Sequence, residues 1–218
     1  MIKVFSVTLA LVLALSISFS AFAFSDVEKG SSIETAVDKL SGLGIIAGFE
    51  DGTFRPDDTI TRAQMAAIIC RTFGLEEKAK KNMGETAFPD VPADHWASGY
   101  INAAQEAGII NGYEDGTFRP EEKVLFEQAV KMVVYALGYD FAAKDSGGYP
   151  LGYIAAASKL GSLKGVAQPL GAPASRGTVA TIIYNSLNVT MNLNRGAVNI
   201  SEVNYGGTIL TDYFNEQN

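Results

Sequence analysis

The sequence is poor in the residues that most often carry chemistry. It has one cysteine, one histidine and one tryptophan in 218 residues. A single Cys excludes an intrachain disulfide framework and any cysteine-rich metal centre. A single His leaves Ser-His-Asp or Cys-His catalysis with no spare imidazole. Positive charge is scarce as well: 17 Lys+Arg face 24 Asp+Glu, a net charge of -7. That balance excludes a strongly basic nucleic-acid binder, because phosphate contacts dominate such affinity. What is present, 47% hydrophobic and 19% charged residues, is a globular composition with room for one or two domains with a real core.

The longest apolar run lies at the start. Lys3 supplies a basic lead, Val7 to Phe22 is apolar apart from small hydroxyls, and Ala21-Phe22-Ala23 closes the run with small residues. This reads as a secretory signal peptide over 1–23, cleaved after Ala23, with an uncleaved anchor as the alternative. The run is short for a membrane span, so no span is expected after cleavage. No Cys follows it, which excludes a lipoprotein anchor. Cys70 reads as a buried apolar filler.

An internal repeat organises the rest. Phe24-Ser25-Asp26-Val27 recurs as Phe88-Pro89-Asp90-Val91, and Gly44-Ile45-Ile46 as Gly108-Ile109-Ile110. Glu50-Asp51-Gly52-Thr53-Phe54-Arg55-Pro56 recurs as Glu114-Asp115-Gly116-Thr117-Phe118-Arg119-Pro120, with the same offset of 64 throughout. A worn third copy follows at an offset of 53, where Tyr153-Ile154-Ala155-Ala156 echoes Tyr100-Ile101-Asn102-Ala103. Its loop shortens to Gln168-Pro169-Leu170-Gly171-Ala172-Pro173, and Ser175-Arg176-Gly177-Thr178 partners Thr61-Arg62-Ala63-Gln64. The expected organisation is 24–75, a polar exposed connection over 76–87, 88–140, a degenerate 141–188, and a tail over 189–218.

Each copy reads as helix, loop, helix. Ile33, Ala36, Val37 and Leu40 mark one apolar helical face, and Gly44 stands where a left-handed C-terminal cap belongs. Gly48 to Thr59 is a turn region, with Gly52 at a positive-φ position and Phe54 as its anchor. Thr61 and Gln64 form a capping box that opens a second helix. Met65, Ile68, Ile69 and Phe73 are its buried face, matched by Val130, Val133, Val134 and Leu137. One copy is too small to bury both faces alone, so the copies must pack on one another.

The combination Phe-x-Asp-Val, Trp-Ala, Gly-Ile-Ile-x-Gly-Tyr, Asp-Gly-Thr-Phe-x-Pro and Thr-Arg-Ala-Gln resembles the S-layer homology domain, over about 24–188. The resemblance implies an all-α fold: three helix-loop-helix units in a pseudo-three-fold bundle, with a short β element left to the tail. It also implies a non-catalytic anchor without a cofactor, secreted and retained at the bacterial cell wall or S-layer. The implied partner is an anionic secondary cell-wall polysaccharide, often pyruvylated, held in grooves between units. A protein–protein assembly module that self-associates in a surface layer is one alternative. The anchor part of a truncated larger surface protein or enzyme is another.

The candidate binding residues follow from charge and position. Arg62, at the first helical position after Thr61, would join free backbone N–H groups in meeting a carboxylate; Gln64 sits beside it, and Arg176 repeats the arrangement. In the second copy Leu125 and Phe126 replace the cap and the arginine, so that groove is expected to have lost its anion contact. Trp96, where the first copy has Ser32 and the third Tyr149, reads either as a stacking face for a sugar ring or as simple packing of a first helix. Asp26 and Asp90 read either as acceptors for sugar hydroxyls or as turn and cap residues. Gly48 and Gly112 either admit a ligand close to the backbone or serve the turn.

Other chemistries find little footing. Calcium is excluded because Asp51 stands alone before Gly52, without alternating ligands or a closing Glu. Glu76-Glu77 and Glu121-Glu122 lie in polar surroundings that would not raise a carboxyl pKa for glycoside hydrolysis. The Asn-rich tail, outside the repeat, suggests short strands at Val198-Asn199-Ile200 and Thr208-Ile209-Leu210. An acidic chain meeting an acidic polymer must bind through a few local arginines, since bulk charge opposes the encounter.

Overall fold

Ser31 opens the first helix by taking an extended backbone, its hydroxyl accepting the Glu34 N–H at 3.1 Å. In the computed structural model, which describes residues 24–192 and 205–214, this helix is α1 (Ser32–Gly42). The expected signal peptide and Val198-Asn199-Ile200 lie outside the described residues. Ala36, Val37 and Leu40 are fully buried on the predicted face of α1. Gly44 follows its C-cap at φ 72°, and Gly108 and Gly161 repeat that left-handed stop at 72° and 82°.

The second helices of the three copies are α2 (Arg62–Thr72), α5 (Phe126–Ala136) and α8 (Arg176–Ser186). The remaining helices of the copies are α3 (Glu76–Lys81), α4 (Ser98–Glu106), α6 (Asp140–Asp145) and α7 (Leu151–Lys159). The first helix of each copy packs on the second helix of the copy before it: α4 on α2, α7 on α5, and α1 back onto α8. That last contact closes the ring. It also explains why α2 buries Ala63, Ala66 and Ala67 as well as the predicted Met65, Ile68 and Ile69. A helix with neighbours on several sides is apolar nearly all round.

At the centre the three loops close a ring of backbone hydrogen bonds. The Ile60 N–H donates to Ala174 O at 3.1 Å, Ala174 N–H to Val124 O at 2.8 Å, and Val124 N–H to Ile60 O at 3.0 Å. All three residues are buried. Backbone hydrogen bonds therefore tie the three loops into one closed ring, the loop before α8 taking part through Ala174.

Two expectations need correction. The polar stretch 76–87 is not merely an exposed connection, for α3 occupies its first half with Ala79 buried. One alanine in a Lys/Glu run suffices because Gly99 of α4 lets the backbones touch: a Cβ there would lie 2.1 Å from Ala79 O. Gly152 of α7 does the same for Ala143 of α6, at 2.0 Å. In the tail, β1 (Thr190–Asn192) pairs antiparallel with β2 (Tyr205–Thr208), but Ile209 and Leu210 open a helix, α9 (Ile209–Tyr213), rather than continuing a strand. Thr208 caps that helix, and burial of Ile209 and Leu210 against the bundle favours it.

The tail docks at the C-terminal ends of the central helices. Asn192 N–H donates to Leu137 O at 2.9 Å and its side-chain amide to Gly138 O at 3.1 Å, while Leu210 N–H reaches Leu187 O at 3.3 Å. Carbonyls left without intrahelical partners at two helix ends are satisfied in this way. No helix among the described residues is long and apolar enough to cross a membrane.

Candidate functional site

The loops that line the inter-copy grooves are braced from within. Asp26 accepts the N–H groups of Phe54 and Arg55, both at 2.7 Å, and Asp90 accepts those of Phe118 and Arg119 at 2.8 and 2.6 Å. Burial works against the charge on Asp26, yet the two N–H donors outweigh it and hold its carboxyl below the usual range. This clasp holds Arg55 and Arg119 at φ 58°, a left-handed conformation costing a non-glycine residue roughly 1–2 kcal/mol. Each arginine then pairs back to the loop, Arg55 with Asp51 and Arg119 with Asp115, both at 2.7 Å. With Thr53 and Arg55 as donors, Asp51 is lowered to about 2.

Gly48 and Gly112 serve neither a bare turn nor a ligand from their Cβ side. A Cβ on Gly48 would lie 2.0 Å from the Phe24 ring, and one on Gly112 would lie 2.5 Å from the Phe88 ring. The glycines make room for the aromatic residue that opens their own copy, and Phe24 in turn meets Phe54 at 5.6 Å.

Arg62 is 4% exposed and reaches out of its own copy. Its Nε–H donates to Phe118 O at 2.7 Å and its Nη2 to Asn111 O at 3.2 Å, with the guanidinium over the Tyr113 and Phe118 rings at 4.7 and 4.6 Å. Arg176, half-buried, holds the first copy's loop in the same way, donating to Phe54 O at 2.7 Å and Ala47 O at 2.8 Å. Burial lowers the pKa of both arginines from the ordinary value; a guanidinium nevertheless keeps its proton.

The backbone N–H groups expected to meet an anion at the helix start are already engaged. The Arg62 and Ala63 N–H groups donate to Glu122 O and Pro120 O at 2.9 Å each, and the Gln64 N–H to Thr61 Oγ1 at 3.2 Å. At α8, Arg176 and Gly177 donate to Asp58 O and Pro56 O, each at 2.8 Å. The neighbouring loop thus fills each N-terminus, and only the side chain is left to meet an anion. Gln64 completes the capping box, its Oε1 accepting the Thr61 N–H at 2.9 Å. Leu125 has no oxygen to offer, so only Gln128 Oε1 caps α5, at 3.1 Å.

The cleft at Arg62 draws on all three copies. This cleft of about 200 Å³ is lined by Arg62 from the first copy, Asn111, Gly112, Tyr113 and Lys131 from the second, and Tyr149 ahead of α7. A second, larger cleft of about 530 Å³ contains Ala47, Gly48, Phe49 and Arg71. Arg71 connects it to the aromatic edge of the second copy, donating to the Tyr100 hydroxyl at 3.3 Å, with Trp96 6.3 Å from Tyr100. Trp96 is half exposed and lies against His95, whose Nδ1 accepts the Ala97 N–H at 3.1 Å. Arg62 is therefore grouped with Tyr149, and the loop held by Arg176 lies on the Trp96 side. The cleft of Ser32, Thr35, Lys164, Tyr184 and Asn185 has no arginine on its lining. The buried Phe126 is the counterpart of Arg62, and its N–H donates to Ala172 O in the third loop at 2.9 Å.

Sequence reasoning missed Lys131 and Tyr113. The only signal was their presence at positions where the first copy has Ala67 and Phe49. Cys70 is fully buried, and desolvation pushes its thiol up to about 12.

Comparisons with known proteins extend this description. The middle cell wall protein of Brevibacillus brevis is 34% identical over 195 residues, covering 87% of this chain and 18% of that protein. The surface layer protein of Brevibacillus choshinensis is 36% identical over 171 residues, 77% of this chain and 15% of that one. A cellulosome-anchoring protein of Acetivibrio thermocellus is 32% identical over 117 residues, 52% and 26% of the two chains. This chain thus spans about a quarter or less of the length of these relatives. The family model described as the S-layer homology domain matches residues 23–66 and 87–130, so the first two copies of the repeat are S-layer homology segments.

Proposed function

We propose that the protein is a non-catalytic cell-surface anchor that holds an anionic, pyruvylated cell-wall polysaccharide in its inter-copy grooves and is retained at the wall. The observation that carries this reading is Arg62. Arg55, Arg71 and Arg119 each have a carboxylate within 4 Å, whereas Arg62 and Arg176 have none among the described residues. A buried cation without a counter-charge is costly. In a chain of net charge -7, such a cation opening onto a cleft favours an anion that arrives from outside. A carboxylate accepts the remaining N–H donors of a guanidinium in a planar, charge-assisted pair, and the half-exposed Tyr149 offers a face to the sugar ring.

Two grooves, those of Arg62 and Arg176, are competent in this reading, and the one at Phe126 is not. The non-catalytic assignment is supported by Cys70, whose raised thiol is a poor nucleophile near neutral pH. The relatives named as cell wall, surface layer and anchoring proteins favour the same place and role.

Sedimentation with purified sacculi tests the proposal. The protein is expected to pellet with intact wall and to stay in solution after the secondary polysaccharide is chemically removed. Equal binding before and after removal would overturn it. Self-association in a surface layer is a second reading, favoured by the relative of that name. Sedimentation velocity of the free protein checks it through the presence or absence of concentration-dependent oligomers.

A further inference from the structure

The clefts are not chemically equal, and the difference lies at one position of the second helix. Lys131 lines the cleft of Arg62 and Tyr149. The same position is Ala67 in the first copy and, by the loop register that pairs Arg62 with Arg176 through Phe126, Thr181 in the third. Lys131 Nζ lies 5.7 Å from the centre of the Tyr149 ring and 5.8 Å from that of Tyr153, and no carboxylate pairs with it within 4 Å among the described residues. The nearby Asp140 is engaged instead by Lys144 at 2.8 Å and by the Tyr153 hydroxyl. One small cleft therefore holds two cations without counter-charges among the described residues, with Tyr113 and Tyr149 on the same lining.

We infer that Lys131 is a specificity-determining residue, which makes the Tyr149 groove select a saccharide unit bearing a second anionic substituent beside the carboxylate met by Arg62. This inference rests on the anchoring function proposed above and adds the charge state of the ligand unit. The two cations differ in kind. Arg62 is fixed by two carbonyls and presents a planar fork, suited to a carboxylate. Lys131 is a point charge on a flexible stem, suited to a phosphate or a second carboxylate whose position varies along the polymer. The Trp96 groove, with Ala67 at the corresponding position, takes a singly charged unit. Two grooves reading different charge states would bind a heterogeneously substituted polymer at two distinct points, and so fix its direction.

Calorimetric titration with two probes tests this: a hexose 4,6-pyruvyl ketal with one carboxylate, and the same sugar carrying a phosphate ester as well. Full-length protein with Trp96→Ala isolates the Tyr149 groove, and Arg176→Ala serves as an independent way of silencing the other groove. In either background, Lys131→Met should weaken the doubly charged probe about tenfold, the loss of one charge-assisted contact, and leave the singly charged probe within about twofold. Equal weakening of both probes, or of neither, would overturn the inference. Failure of the unsubstituted protein to bind either probe would instead count against the anchoring function itself.

Discussion

Replacing Arg62 with alanine separates its structural work from its proposed binding work. The side chain donates to Phe118 O at 2.7 Å and Asn111 O at 3.2 Å while 4% exposed, so its removal strips two loop carbonyls of a charged donor and leaves a cavity between the Tyr113 and Phe118 rings. A hydrogen bond to a charged group contributes about 1.5–3 kcal/mol. Part of that is offset, because the mutation also removes the cost of burying an unpaired cation. A net loss of about 2–3 kcal/mol is expected, which in a chain of this size lowers Tm by about 4–12 °C. Arg62→Lys keeps the charge but satisfies one carbonyl at best, so its Tm should fall between those of the alanine variant and the wild type. Circular-dichroism melts give Tm, and sacculus sedimentation well below the variant's Tm gives retention. Under the proposed function both variants lose retention beyond their loss of stability, since neither presents the fork. A Tm within about 2 °C of wild type for Arg62→Ala would refute the inter-copy role. Full retention by a destabilised but folded variant would refute the binding role.

Other perturbations probe the clasp, the tail and the thiol. Because the folded Asp26 carboxyl is held below its usual value of about 3.9, its contribution to stability is complete above pH 4 and is lost as pH falls through the lowered value. Asp26→Asn should therefore lower Tm at pH 6 yet matter progressively less in acid; a constant deficit across that window would count against the clasp. Gly138 has φ 89°, and a Cβ on it would lie 2.0 Å from Asn192 O. Gly138→Ala should thus cost about 2 kcal/mol or more and accelerate hydrogen exchange at the Asn192 and Leu210 amides, with unchanged protection there refuting the docking. Cys70, with a thiol pushed up to about 12, should resist iodoacetamide at pH 8 in the folded protein and react on unfolding, so rapid labelling of the native state would contradict its burial.

Much of the fold was legible because it rests on local rules. The three- and four-residue steps of Ile33, Ala36, Val37 and Leu40, the left-handed glycine after α1, and the Thr61–Gln64 capping box each depend on a few neighbouring residues. The helix α8 was recognisable from its own cap, Ser175, whose hydroxyl accepts the Thr178 N–H. The short helix α3 escaped because a single apolar residue, Ala79, holds it in place, and the partner that permits this is Gly99, twenty positions away. The tail escaped in part for the same reason: Ile209 and Leu210 have strand-compatible side chains, and only their burial against the bundle chooses helix.

The site was less legible than the fold. Arg62 and Arg176 could be picked out as candidates from their place at a helix start together with the family resemblance, but what each would meet depends on the closing of the ring. Pairing between loops fills the helix N-termini with carbonyls from Glu122, Pro120, Asp58 and Pro56, removes the backbone donors that local reasoning assigned to a ligand, and sends each guanidinium into the next copy. The amino-acid sequence by itself determined the repeat, its helices, their caps and the scarcity of catalytic groups, because these follow from short-range spacing and composition. Only the tertiary structure decided which copy completes which groove, placed Lys131 and Tyr149 with Arg62, and showed that Asp26, Asp90, Gly48 and Gly112 brace the loops. Those relations join residues tens of positions apart, and no periodicity within one copy encodes them.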